Sequence, residues 1–353
     1  MDLYVADENY NVLSILDTFT SVIWTRRYNE CGDFEVCVPA SAEMFELLAP
    51  DNYIYRLDDD TVMIIEKVQL QNDSENGDYI VCTGRSAESL IARRIVWGQK
   101  GFYGYAEEFI MEVMNENVVS PAIYSRKIPE IVLGDDNGFK DPIGVQYTCE
   151  NMLTVVYETC QKYDMGFRLV KRGGVLREKL YFELYKGTDH SESQHVNPIV
   201  VFSPDFDNLI NSEYCMDMTE YANTAYIAGE GEGNQRKKAI LGGSQGKKRR
   251  EIFVDAGSVS SKSDIVMTDD NYMMALYDKG QEQLSEKRGK FTFSVTIENL
   301  NMYKYKQDYD VGDIVTIKNE YGIIADVRIT EVTESEDSTG FSVIPTFEQE
   351  VNE

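Results

Sequence analysis

Short apolar runs with a two-residue period, separated by turn signals, constrain this chain more than any other feature. Phe34-Glu35-Val36-Cys37-Val38 opens with apolar and polar residues in alternation, the pattern of a strand with one buried face. Leu3–Ala6, Val12–Leu16, Ser21–Tyr28, Tyr53–Leu57, Val62–Leu70 and Tyr79–Gly84 are further runs of strand length. Asp58-Asp59-Asp60 reads as a tight turn, and Asn76-Gly77 as the signal of a hairpin. Ser41 is placed to cap a short helix, Ala42–Leu48, that stops at Pro50, and Ser86 to cap a second reaching Arg94. Tyr (23) and Phe (15), with many Val, Ile and Thr, suit strands. At 353 residues, the chain is long enough for two or three domains, each with its own core.

The pattern changes near Ile95. Ala106–Val118 and Cys149–Tyr163 read as helices; in the second, Leu153, Val156, Tyr157, Cys160 and Tyr163 recur at helical spacing and Gly166 suits the exit. Turn-rich Leu133–Gly144 lies between them, and strands Phe167–Lys171 and Leu180–Tyr185 follow. Residues 96–197 therefore read as an α+β insertion. Strand character returns at Ile199–Phe202, Glu213–Met218 and Ala225–Ala228. A Gly- and Lys-rich hairpin follows, then a helix capped by Asp269 or Asp270 and running to about Arg288. Phe291–Glu298, Asp313–Lys318, Ile323–Val332 and Gly340–Pro345 are the closing strands. No repeat at a fixed period is visible, which argues against a solenoid or propeller.

The net charge of −27 argues against binding nucleic acid or anionic membranes, since either needs a basic face. The one basic cluster is Lys247-Lys248-Arg249-Arg250, with Arg236-Lys237-Lys238 just before it. In so acidic a chain such a hairpin is attractive to an acidic surface on a second copy. The six cysteines form no C-x-x-C pair and are too few for a disulfide scaffold, so folding in a reducing cytosol is expected. No signal peptide is expected at the N-terminus, and no apolar run approaches the ~20 residues of a membrane span.

Catalytic motifs fail on their own requirements. His190 and His195 sit in a polar linker with no cysteine near, and read as solvated loop residues rather than zinc ligands. Gly242-x-Ser244-x-Gly246 mimics a nucleophile elbow, but that motif needs a strand-to-helix turn and a downstream histidine. Asn72–Gly77 mimics an EF-hand start, yet its twelfth position is Thr83, which cannot supply a bidentate carboxylate. Asp135-Asp136-Asn137-Gly138 reads as a turn. Gly229, Gly231 and Gly233 open no recognisable helix, and Asn234 holds the place of the third dinucleotide-binding glycine. No enzyme, cofactor or metal is expected.

Several segments, in order, resemble the tail proteins of siphophages and of prophages in Gram-positive hosts, a family similar in fold to the trimeric baseplate hub of T-even phages. They are Ser21-Val22-Ile23-Trp24 with Gly32-Asp33-Phe34-Glu35 and Pro39; Gly84-Arg85-Ser86 leading to Leu90, Arg93, Arg94 and Ile95; Gly229–Gly233 with Arg236 and then Arg249-Arg250-Glu251-Ile252-Phe253-Val254-Asp255; and Tyr309–Thr316, containing Gly312 and Asp313. The resemblance implies a β-rich α+β, multidomain fold. Two β-barrel-like tube domains come from each chain, the first from residues 1–95 plus 198–230 and the second from 231–353, with a hairpin and helix (about 256–290) inserted in the second and 96–197 forming the α+β insertion.

Three chains would form a pseudo-sixfold ring, the structural hub of a tail tip, through which DNA passes without specific binding. The implied partners are the distal tail protein, the tail tube protein, the tape-measure protein, and a receptor-binding or spike protein, in a virion tail assembled in the host cytoplasm. Because the chain ends at Glu353 after its last strand, the resemblance implies a minimal hub. Trp24, Gly32, Phe34, Arg93, Arg94, Arg250, Glu251, Asp255, Gly312 and Asp313 are the family-motif positions. Two other readings are a carbohydrate-binding tail-tip adhesin and a tail-associated cell-wall hydrolase. Against the adhesin, the tyrosines fall mainly in regular segments rather than on loops.

Overall fold

The computed structural model describes residues 1–72, 77–177, 179–206, 208, 211–261, 268–296, 302–322 and 324–350. The N-terminal strands are β1 (Leu3–Ala6), β2 (Val12–Leu16), β3 (Ser21–Arg27), β4 (Asp33–Pro39), β5 (Tyr53–Tyr55), β6 (Val62–Gln71) and β7 (Tyr79–Ser86). They pair antiparallel in the spatial order β3-β4-β7-β6-β5-β1-β2. The β6–β7 hairpin forms with Gln71 opposite Tyr79, while its tip, 73–76, lies outside the described residues. Helix α1 (Ala42–Leu47) starts where expected, and the Ser41 hydroxyl accepts the Met44 N–H at 3.0 Å. The segment after Ser86 is a 3₁₀ helix, Ala87–Arg93, without a side-chain cap.

Alternation sorts the side chains of this sheet onto two cores. Leu3, Val5, Ile54, Met63 and Ile65 face one core with Trp24, Phe34 and Val36. Ala6, Tyr53, Tyr55, Val62 and Ile64 face the other. Strands buried on both faces must be continuously apolar, as Tyr53–Tyr55 and Val62–Ile65 are.

The second of these cores belongs to residues 96–197. It contains β8 (Gln99–Tyr105), α2 (Ala106–Met114), β9 (Ile131–Leu133), β10 (Pro142–Thr148), α3 (Met152–Lys162), β11 (Gly166–Val170) and β12 (Leu180–Tyr185). β8 and β10 pair, and β11, β12 and β9 form a small sheet. Asn151 caps α3 by accepting the Leu153 N–H at 2.9 Å. Phe109, Val113, Val156, Cys160, Phe167 and Phe182 pack with the first sheet's Tyr55 and Ile64.

The C-terminal part contributes β13 (Val201–Phe202), β14 (Asn211–Asp217), β18 (Lys290–Thr296), β19 (Ile314–Lys318), β20 (Ile324–Asp337) and β21 (Gly340–Glu350). The span 198–230, which the sequence reading groups with residues 1–95, makes its described strand pairs elsewhere. β13 lies parallel to β19, and β14 runs antiparallel to β18. Val200, just before β13, and Phe202 on it are buried among Tyr309, Val315, Ile329 and Phe347.

The 14-residue strand β20 joins the two halves. Its first part pairs with β19, while Glu331–Asp337 pair with β3. One continuous path, β14-β18-β21-β20-β3-β4-β7-β6-β5-β1-β2, results. It is open, ending at β14 and β2, and no closed barrel exists among the described residues.

β15 (Thr224–Ala228), β16 (Lys238–Leu241) and β17 (Glu251–Asp255) form a separate sheet, β16-β15-β17, covered on one face by α4 (Asp269–Glu286). Thr268, rather than either aspartate, caps α4 by accepting the Asn271 N–H at 3.2 Å. The far side of α4 rests on the insertion. Asp278 pairs with Lys162 at 2.6 Å and accepts the Gly144 N–H at 2.6 Å.

Candidate assembly sites

The triplet Asp58-Asp59-Asp60 does more than turn the chain between β5 and β6. Its aspartates face cations from three parts of the fold. Asp58 pairs with Arg56 at 2.7 Å, Asp59 with Lys306 at 2.9 Å, and Asp60 with Arg26 at 3.5 Å and Arg168 at 3.6 Å. Arg56 also meets Glu334 of β20 at 2.9 Å, and Arg26 donates to the Tyr305 hydroxyl at 3.1 Å. Asp59 is buried, which alone would push its carboxyl up, but Arg26 and Lys306 outweigh this and hold it well below the usual carboxylate range. Buried ion pairs seldom add net stability over apolar packing, but they penalise any other arrangement. This joint therefore orients three regions: the first sheet, the insertion through Arg168, and the C-terminal strands. The sequence carried one signal of it, the pair Arg26-Arg27 directly after the apolar run Val22-Ile23-Trp24 and Thr25, and its reading missed Arg26, Arg56 and Glu334.

The motif positions fall into separate structural settings. Trp24 and Phe34 are buried neighbours, ring centroids 6.3 Å apart, and the Arg56 guanidinium lies 5.9 Å from the Trp24 ring. Gly32 passes so close to β3 that a Cβ there would sit 2.3 Å from the Thr25 carbonyl oxygen. Arg93 pairs with Asp51 at 2.6 Å, and Arg94 donates to the Arg126 carbonyl at 2.5 Å. Gly312 takes φ +96° under the Tyr28 ring. Asp313 accepts the Thr188 and Asp310 N–H groups, each at 2.7 Å. These bonds tie the linker after β12 to the start of β19.

His190 sits on that linker and is not a solvated residue. Its Nδ1 lies 2.7 Å from the Pro198 carbonyl oxygen and its Nε2 3.7 Å from Asp313. The residues that carry it run beside β19, with the His190 N–H donating to the Ile314 carbonyl at 2.7 Å.

The basic cluster occupies the turn between β16 and β17. Arg249 pairs with Glu251 at 2.5 Å, and Arg250 donates to the Met218 carbonyl and covers the Tyr221 ring. Arg236 pairs with Asp255. Lys247 and Lys248 are exposed and have no ion-pair partner among the described residues. The outer face of the same sheet carries a row of exposed residues, Ile240, Tyr226 and Phe253, in register across the three strands.

Ser244 lies between β16 and a short 3₁₀ turn at Gly246–Lys248, not at a strand-to-helix elbow. Asp136 and Gly138 form the expected turn, closed by Asp136 accepting the Gly138 N–H at 2.8 Å. Among the described residues, no group of His, Cys, Asp and Glu could hold a metal ion, no helix is long and apolar enough to cross a membrane, and all six cysteines are free thiols.

The fold is that of phage and prophage tail proteins. It is similar to a tail protein from Neisseria meningitidis MC58 (TM-score 0.59, 12% identity, covering 99% of this chain and 96% of that one). It is also similar to prophage tail protein gp18 from Listeria monocytogenes EGD-e (0.57, 14%, 99% and 94%) and to the 43 kDa tail protein of prophage MuSo2 from Shewanella oneidensis (0.59, 12%, 98% and 98%). A search of curated proteins returned no match. Residues 2–347 match the siphovirus ReqiPepy6 Gp37-like proteins, and the chain belongs to that family. The resemblance to siphophage and prophage tail proteins is thereby borne out, in family and in fold.

Proposed function

We propose that this protein is the structural hub of a tail tip, three copies forming a ring that joins the tail tube to receptor-binding or spike components. Family membership over residues 2–347, together with two sheet-bound cores strung on one path through β20, carries this reading. On it, the strands around Trp24 and those around Phe202 are two tube-like units, and three chains supply six. The charge joint at Asp58–Asp60 sets their relative tilt, while 96–197 and the β15–β17 sheet with α4 decorate the outside. The family-motif residues then act as structural positions, with Gly32 and Gly312 shaping strand entries.

The same reading takes the distal tail protein, the tube protein and the tape-measure protein as further partners and the virion tail as the location. With a net charge of −27 per chain, carboxylates facing the lumen would keep exiting DNA from adhering, over the ~8–10 Å range that salt leaves unscreened. Negative-stain imaging with light-scattering mass tests the proposal. A threefold ring with a central hole is expected; a monomer at high concentration, alone and with the other tail-tip proteins, would overturn it.

A further inference from the structure

We propose that the surface around Trp97, on the inserted segment, is a docking face for a second copy of this chain; this rests on the ring reading above. Trp97 is 62% exposed and Tyr124 81%, with Ile95 and Ile123 also exposed beside them. Large aromatics exposed together with aliphatic side chains in this way mark a contact surface.

The patch is built, not loose. The Arg126 guanidinium stacks 4.6 Å from the Trp97 ring centroid and donates to the Ile95 carbonyl at 2.6 Å. The Asn117 side-chain oxygen accepts the Trp97 N–H at 3.0 Å and lies 3.4 Å from both terminal nitrogens of Arg126. Arg94 ties the two segments together through the Arg126 carbonyl. Holding the ring in place beforehand lowers the entropy lost on docking.

The charges select the occupant. Arg94, Arg126 and Lys127 have no carboxylate partner among the described residues, although the chain holds 61 acidic residues against 34 basic ones. Burial and the neighbouring Arg94 charge push the Arg126 guanidinium down, the mark of a cation lacking an anion. Trp, Tyr and Arg are the residues that dominate interface energetics. A ring contact is head-to-tail, so this patch meets a different surface of the neighbour, and a chain of −27 offers acidic surface to meet it.

Sedimentation velocity on the full chain tests the inference, comparing wild type, Trp97→Ala, Tyr124→Ala and Lys127→Glu over a range of concentration and salt. Wild type is expected to associate, less so as salt rises. Each variant should weaken association tenfold or more while melting at an unchanged temperature. Equal association by wild type and all three variants would overturn the docking face and leave the ring reading standing. A monomeric wild type would overturn the docking face, whereas the ring reading falls only if the chain also stays monomeric with the other tail-tip proteins. Trp97-dependent binding of an anionic polysaccharide by a monomeric protein would assign the patch a different occupant and overturn the inference.

Discussion

Arg56 and Glu334 meet as a buried ion pair at 2.9 Å although 278 positions separate them in sequence. Arg56 follows β5 in the first sheet, and Glu334 lies on the part of β20 that pairs with β3. The pair fixes where the C-terminal strands meet the N-terminal ones, and Asp58 and Lys306 complete its charge balance.

Replacing Arg56 with Ala should lower unfolding free energy by about 3–5 kcal/mol, because Glu334 is left buried with Lys306 only at 3.8 Å. The double change Arg56→Met with Glu334→Leu should recover most of that loss, since neither charge is orphaned. Urea denaturation of the three proteins checks this. A single-variant loss below about 1 kcal/mol would mean that water solvates the joint.

Gly84 should tolerate no side chain. A Cβ there would lie 1.8 Å from the Ile64 carbonyl oxygen, beside the β6 bulge at Ile65–Lys67, and backbone cannot rotate away. Gly84→Ala is expected to cost about 3 kcal/mol. Gly98→Ala provides the control: its φ is +86° but nothing lies within 4 Å, so only conformational strain of about 1–2 kcal/mol applies. Thermal melts of the pair separate the two effects.

The joint between α3 and α4 should weaken in alkali. Burial, then the facing Glu282 carboxylate, pushes the Glu158 carboxyl up to about 8, while Lys279 pulls the other way. Tyr147 and Glu286 also face this site. A carboxyl whose pKa is raised by folding gives its full stability below the unfolded value, near 4.5, and loses it as pH rises through about 8. The urea midpoint should therefore fall between pH 5 and pH 9 through this group, and Glu158→Gln should flatten that slope. An identical slope in the variant would remove Glu158 as its source.

Lys247→Glu with Lys248→Glu should leave stability within about 0.5 kcal/mol of wild type, because both side chains are exposed and unpaired among the described residues. If the basic turn meets an acidic neighbour, the same variant should associate less at low salt and equally at high salt. Light scattering at two ionic strengths reads both.

Local features were legible where local physics decides them. The β12 bounds, the Ser41 cap and the strands β1 and β2 follow directly from runs of strand length and capping chemistry. β8 escaped the reading because Gln99–Tyr105 contains two glycines and no clean period; it is a strand because β10 lies beside it. The partners of 198–230 escaped for a related reason. Alternation says which face of a strand is buried, not which strand lies next to it.

The sequence by itself determined that the chain is β-rich, that an α+β segment interrupts it near Ile95, and that its motifs, in order, resemble those of a tail-protein family. Those conclusions rest on neighbours in sequence, whose interactions are settled within a few residues. Only the tertiary structure decided that β20 joins the N- and C-terminal strands into one sheet, that an aspartate turn anchors three regions, and that Trp97 faces outward while Trp24 is buried. Each of these depends on groups far apart in the chain, and a net charge of −27 gives no hint that Arg26 and Arg56 lie inside. The cost of burying a charge is set by the partner that folding brings to it, and that partner cannot be read from the residue's own segment.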